Sequence, residues 1–113
     1  HHDAVFNLAR AALLAGSLTT GKLENVGVAV GDCLHQPYRF DLIPDGRDVV
    51  HAAKCMGALG AFISGAGPSI IAIVDASDKT YLSRAQMYCE QHFPHWTPIR
   101  LTCDEVGATV TRF

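Results

Sequence analysis

GALGAFISGAGPSIIAIV, residues Gly57 to Val74, is the stretch on which the fold turns. Two β-like runs, Ala58 to Ser64 and Ser69 to Asp75, flank the short segment Gly65-Ala66-Gly67-Pro68. The run Ile70 to Val74 is almost continuously apolar, which predicts a central, well-covered strand. Glycine adopts positive φ at little steric cost, so Gly65 and Gly67 suit a tight turn. Such a turn can aim successive N–H groups into one concavity that attracts an anion. Pro68 stiffens the exit, and Ser64 and Ser69 place hydroxyls beside the tip. The reading is a hairpin whose tip holds an anion or a small polar substrate with its backbone. A plain hairpin turn would use the same glycines. No lysine follows them, so this is not a Walker-type phosphate loop.

Upstream, Asp3 can cap a helix over Ala4 to Ala15, where Val5, Leu8, Ala9, Ala12 and Ala15 recur at helical spacing. Gly16 and Gly21 bracket a turn, and a second helix fits Leu23 to Leu34. His35-Gln36-Pro37-Tyr38-Arg39 breaks the helical pattern, because Pro37 has no N–H and disfavours helix at Gln36. The chain to Pro44 is read as extended or irregular. Asp48 can cap a short helix over Val49 to Met56, closed by Gly57.

Downstream, Ser77 or Asp78 starts a helix to about Phe93, with Leu82, Ala85, Cys89 and Phe93 facing inward and Pro94 stopping it. Ile99, Leu101 and Cys103 alternate with polar residues, as in a half-buried strand, and a last short strand fits Ala108 to Val110. Helices, hairpin, helix and strand in this order argue for an α+β fold. The specific expectation is a ferredoxin-like sandwich, an antiparallel sheet with helices on one face, forming one domain over residues 1–113.

Composition narrows the function classes. Nearly half of the 113 residues are apolar and the formal net charge is −2, so the chain can build a core and carries no basic surplus for nucleic acid or membranes. No apolar run reaches the roughly 18 residues of a membrane span. Cys33, Cys55, Cys89 and Cys103 are widely spaced and are read as reduced, mostly buried thiols of a cytoplasmic protein. Cys89, His92 and His95 lack the close paired spacing of a structural zinc site, so no metal ligands are assigned. His35 is read as a turn residue with a structural hydrogen bond, Tyr38 as a packing residue, and Asp104 and Glu105 as turn formers. The aromatic side chains Tyr88, Phe93 and Trp96 do not lie in a basic stripe, which argues against an RNA platform.

The hairpin block resembles the third motif of the GHMP kinases (galacto-, homoserine, mevalonate and phosphomevalonate kinases), in the form found in the homoserine kinase branch. Three further blocks resemble the same branch: Asp3-Ala4-Val5-Phe6-Asn7, His35 to Arg39 followed by Leu42-Ile43-Pro44, and Asp104 with Gly107-Ala108. The resemblance covers nearly the whole chain in the right order. Three departures stand out. Cys33 and Ser69 occupy positions where relatives commonly carry arginine and threonine, and the PxxxGLGSS-type ATP loop is not found here.

The resemblance therefore implies the C-terminal domain alone, with the ATP-loop domain as its N-terminal partner. It implies Arg39 as the residue that binds the carboxylate of L-homoserine, and Gly65 as a substrate-binding residue. Ser64, Ala66, Gly67, Pro68 and Ser69 complete the motif-three loop, which supports the site without moving a proton. A planar guanidinium suits a carboxylate bidentately, although a surface arginine paired with Asp41 or Asp45 would fit the bare sequence as well. ATP and Mg²⁺ are the implied cofactors, and O-phospho-L-homoserine, on the route to threonine, the implied product. The chain by itself is expected to be inactive. Apolar surface meant for the other domain predicts self-association, with a homodimer as a further partner. The alternative from another class is a free-standing ferredoxin-like module for amino-acid sensing or dimerisation.

Overall fold

The computed structural model describes residues 1–113. The first helix, α1, spans His2–Thr20 and runs past the expected end at Ala15. Gly16 costs about 1 kcal/mol against alanine in a helix, but Leu13, Leu14 and Ala15 before it and Leu18 after it carry the helix through. Gly21 then ends it in the left-handed region, with φ of 72°. Asp3 sits in the first turn and makes no side-chain cap, so its benefit is its charge at the positive helix end.

The second helix is much shorter than expected. After a 3-10 turn at Leu23–Asn25, α2 covers only Val26–Ala29. The cause is Asp32. Its carboxylate accepts the backbone N–H groups of Leu34, His35 and Gln36, which offers the chain a partner other than the helix ladder. Pro37 also behaves differently from expectation. It lies in the first turn of a helix, α3 (Gln36–Arg39), where a missing N–H breaks no bond. A 3-10 turn, Phe40–Leu42, leads on to α4, Gly46–Cys55.

Strands β1 (Gly60–Ile63) and β2 (Ile70–Ile73) pair antiparallel, with Gly60 opposite Ile73 and Ile63 opposite Ile70. Val50 and Ala53 of α4 bury against Ala61, with Phe40, Ala58 and Ile70 packed around them. Gly60 points the other way. A Cβ there would stand 2.9 Å from Val30 Cγ2 and 3.3 Å from Val26 Cγ1, so the glycine lets α2 lie directly on the strand. Helices thus meet β1 from both sides, where one covered face was expected. The last helix, α5 (Tyr81–His92), buries Tyr81, Ala85 and Cys89. Its Tyr81 hydroxyl donates to the Ala53 carbonyl of α4 at 2.9 Å.

The class is α+β with an antiparallel sheet, and within the chain that sheet has two strands. The expected strands at 99–103 and 108–110 do not form. Ile99 and Leu101 are 69% and 81% exposed, and their backbone has no strand beside it to pair with. Alternation selects which side chains a strand would bury, but the ladder itself needs a neighbouring edge. For the same reason β2 is not the well-covered central strand its composition suggested, since Ile71 and Ala72 are exposed. The cysteines also differ from expectation. All four are free, but only Cys89 is buried, while Cys55 and Cys103 are exposed. No helix is long and apolar enough to cross a membrane.

Candidate functional site

The turn between the strands is held at both ends. Ser64 N–H donates to the Ser69 carbonyl at 2.8 Å, and Gly67 N–H donates to the Ser64 carbonyl at 3.0 Å. Gly65 and Gly67 both have positive φ, 55° and 82°, and the Gly67–Pro68 bond is cis. A Cβ on Gly67 would stand 2.8 Å from Ile43 Cδ1, whereas one on Gly65 would meet open space. Gly67 is thus the packed, half-buried anchor of the turn and Gly65 its accessible tip. The N–H groups of Gly65 and Ala66 donate to no acceptor in the protein. Ser64 is half-buried, while Pro68 and Ser69 are exposed.

Arg39 meets this tip. It stands at the end of α3, and its Nε donates to the Ala66 carbonyl across 27 residues of sequence. Neither Nη group has an acceptor, and neither Asp41 nor Asp45 pairs with Arg39. Asp41 is taken by Arg47, whose Nη2 lies 3.2 Å from its Oδ1 and also donates to the Pro37 carbonyl at 2.7 Å. The structure therefore brings together the predicted arginine and the predicted loop. It leaves a guanidinium edge and two backbone N–H groups as unpaired donors, a set suited to a carboxylate.

A second cluster, missed from the sequence, holds Arg39's segment in place. Asn7 of α1 donates through Nδ2 to Asp32 Oδ1 and accepts from Cys33 N–H at 2.8 Å. Gln36 Oε1 accepts the Ile63 N–H at 2.8 Å, linking the start of α3 to the end of β1. Burial by itself raises the Asp32 carboxyl pKa, but the hydrogen bonds from Asn7, Gln36, Leu34 and His35 outweigh it and hold the group below the usual carboxylate range. Asp32 is thus a charged knot tying α1, the 32–36 turn and α3. A readable signal was present: an Asp a few residues before a Pro in a helix's first turn is a common way to satisfy the orphan N–H groups. Asn7 and Gln36 were visible within motifs, but nothing in their spacing showed that they converge.

His35 supplies its backbone N–H to Asp32, and its ring forms no hydrogen bond. Tyr38 is 68% exposed, not packed, because the Arg39 side chain and not Tyr38 turns onto the hairpin. No group of three His, Cys, Asp or Glu side chains gathers as it would for a metal ion.

Comparisons with known proteins agree with this fold. The family described as GHMP kinases C terminal matches residues 9–94. The chain is 44% identical over 110 residues to a protein named homoserine kinase from Caldicellulosiruptor saccharolyticus, covering 96% of this chain and 36% of that protein. It is 42% identical over 108 residues to one of the same name from Microchaete diplosiphon, covering 95% and 35%. The crystal structure of homoserine kinase from Cytophaga hutchinsonii superposes with a TM-score of 0.72 at 30% identity, over 83% of this chain and 29% of that one. The chain thus spans little more than a third of the length of the curated relatives it matches. With the fold, the hairpin and the family match in agreement, the chain belongs to the GHMP kinase C-terminal family.

Proposed function

We propose that this chain is the substrate-gripping C-terminal domain of a homoserine kinase. That enzyme moves the γ-phosphoryl group of ATP to the side-chain hydroxyl of L-homoserine, giving O-phospho-L-homoserine on the route to threonine, in the cytoplasm. The observation that carries the reading is Arg39 on the hairpin tip. Its Nε is spent on the Ala66 carbonyl, which fixes the guanidinium plane and leaves both Nη groups for a ligand. A carboxylate resting there would also be within the field of the free Gly65 and Ala66 N–H groups.

Phosphoryl transfer depends on positioning and charge stabilisation more than on covalent help from the protein. Clamping the carboxylate end of homoserine fixes where its hydroxyl points. That is the share of the work these residues can do, and the Asp32 knot keeps Arg39's segment from drifting. ATP supplies the phosphoryl group and Mg²⁺ neutralises its charge, and both belong with an N-terminal domain that carries the nucleotide loop. The exposed apolar residues Val5, Leu8 and Leu18 on α1 support a surface that meets other protein, either that domain or a second copy.

The test is a coupled ADP-release assay on the 113-residue chain alone and joined to a GLGSS-type domain. The joined protein is expected to phosphorylate L-homoserine, the chain alone to be inactive, and Arg39→Ala in the joined protein to raise KM for homoserine at least roughly tenfold. Turnover by the chain alone would overturn the division of labour. An unchanged KM in Arg39→Ala would remove Arg39 from the site.

A further inference from the structure

Between α1 and the turn at residues 30–36 lies a cavity of about 240 Å³ whose lining carries both signs of charge. Arg10 comes from α1 and Asp32 from the turn, while Leu14, Val30 and Phe62 supply apolar surface. Neither Arg39 nor residues 64–69 line it.

Arg10 is half-buried, and its charge has no partner in the chain. The ion pairs formed elsewhere use His2, Arg47 and Arg84. The Arg10 guanidinium instead lies over the Phe6 ring, one helical turn back, with Cζ 4.6 Å from the ring centroid. That stacking holds the plane in place and uses none of its N–H donors. Gly31 leaves the adjoining space empty, since a Cβ there would stand 3.8 Å from Arg10 Nε. A half-buried cation without a partner keeps its desolvation cost until an anion arrives. Asp32 is the opposite case. Its oxygens already accept from Asn7 and from three backbone N–H groups, so it offers the cavity its field more than a free lone pair. Beside it, the Val30 carbonyl carries only a long 3.5 Å bond from Gln36 Nε2 and can accept a stronger donor.

We propose that this cavity binds a free α-amino acid with a short apolar side chain. The carboxylate pairs with Arg10, the ammonium group lies toward Asp32 and the Val30 carbonyl, and the side chain rests against Leu14 and Phe62. A guanidinium fork suits a carboxylate bidentately. A zwitterion satisfies both charges at once, whereas a simple anion would meet the field of Asp32 and a simple cation that of Arg10. The volume is below the roughly 300–1,000 Å³ of pockets for drug-sized ligands, which limits the ligand to a small metabolite. This inference does not depend on the kinase reading, because it uses no residue of the hairpin tip.

The test is isothermal titration calorimetry of the 113-residue chain with L-valine and with its two singly charged analogues, isovalerate and isobutylamine. L-Valine is expected to bind roughly tenfold or more tightly than either analogue, a comparison that needs no variant to fold. Arg10→Gln should weaken L-valine binding roughly tenfold or more, and Arg39→Ala should leave it unchanged. The Arg39→Ala arm separates the cavity from the hairpin tip, where a carboxylate held by Arg39 would give the reverse pattern. No binding of L-valine to the wild type, equal affinity for isovalerate, undiminished binding in Arg10→Gln, or loss of binding in Arg39→Ala would each overturn the proposal.

Discussion

Residues 30–44 and residues 98–113 both have little regular structure, yet they differ in almost everything else. The first segment holds short helices and turns, and nearly every exposed backbone donor near Asp32 has a partner. Gln36 and Arg39 bind it to β1 and to the hairpin tip. The second segment has the better periodic pattern, with Ile99, Leu101 and Cys103 alternating as a strand should, yet it stands exposed. Its hydrogen bonds are local, from the N–H groups of Val106 and Gly107 to Asp104. Hydrogen bonds to a distant element thus fix an irregular segment, whereas periodicity without a neighbouring edge fixes nothing.

The strongest way to break the ordered half is at its contact with the hairpin. Gly67→Ala would force a side chain into positive φ and against Ile43 and Ile63, at a cost of about 2–3 kcal/mol in urea unfolding. Gly65→Ala meets open space and keeps only the backbone strain, about 1 kcal/mol. Equal losses at the two glycines would deny Gly67 its role as anchor.

Asp32→Ala is the next largest effect, about 2 kcal/mol, because several donors lose a charged acceptor. The native pKa of Asp32 lies below its unfolded value. Its stabilisation is therefore complete above the ordinary carboxylate range and is lost as pH falls through the lowered native value. Acid unfolding of the wild type should be steeper than that of Asp32→Asn in that window. Matching curves would show that the charge of Asp32 contributes nothing.

Leu101→Ser in the second segment should change stability by less than about 0.5 kcal/mol, since Leu101 is 81% exposed. A loss above about 1 kcal/mol would mean that this residue buries against something.

Much of this was legible in the sequence, and the limits have physical causes. The hairpin could be read because its apolar runs and glycine tip agree on one turn, and the structure pairs Gly60–Ile63 with Ile70–Ile73. Helix α5 could be read because Ala85 and Cys89 recur at helical spacing and both are buried. The second helix was overextended because Asp32's competition for backbone N–H groups is invisible to periodicity. Pro37 reads as a break in the bare sequence because its tolerated place in a helix's first turn depends on where that helix starts. Arg39 and the loop were named from motifs, but the contact between Arg39 and Ala66 is tertiary and needed the fold.

The central claim is that Arg39, fixed on the hairpin tip, reads a carboxylate. The most direct measurement compares kcat/KM for L-homoserine with that for its carboxamide, in wild type and in Arg39→Ala, with the ATP-loop domain joined. Wild type is expected to favour the carboxylate by roughly a hundredfold, and Arg39→Ala to lose most of this preference. A preference that survives intact in Arg39→Ala would contradict it.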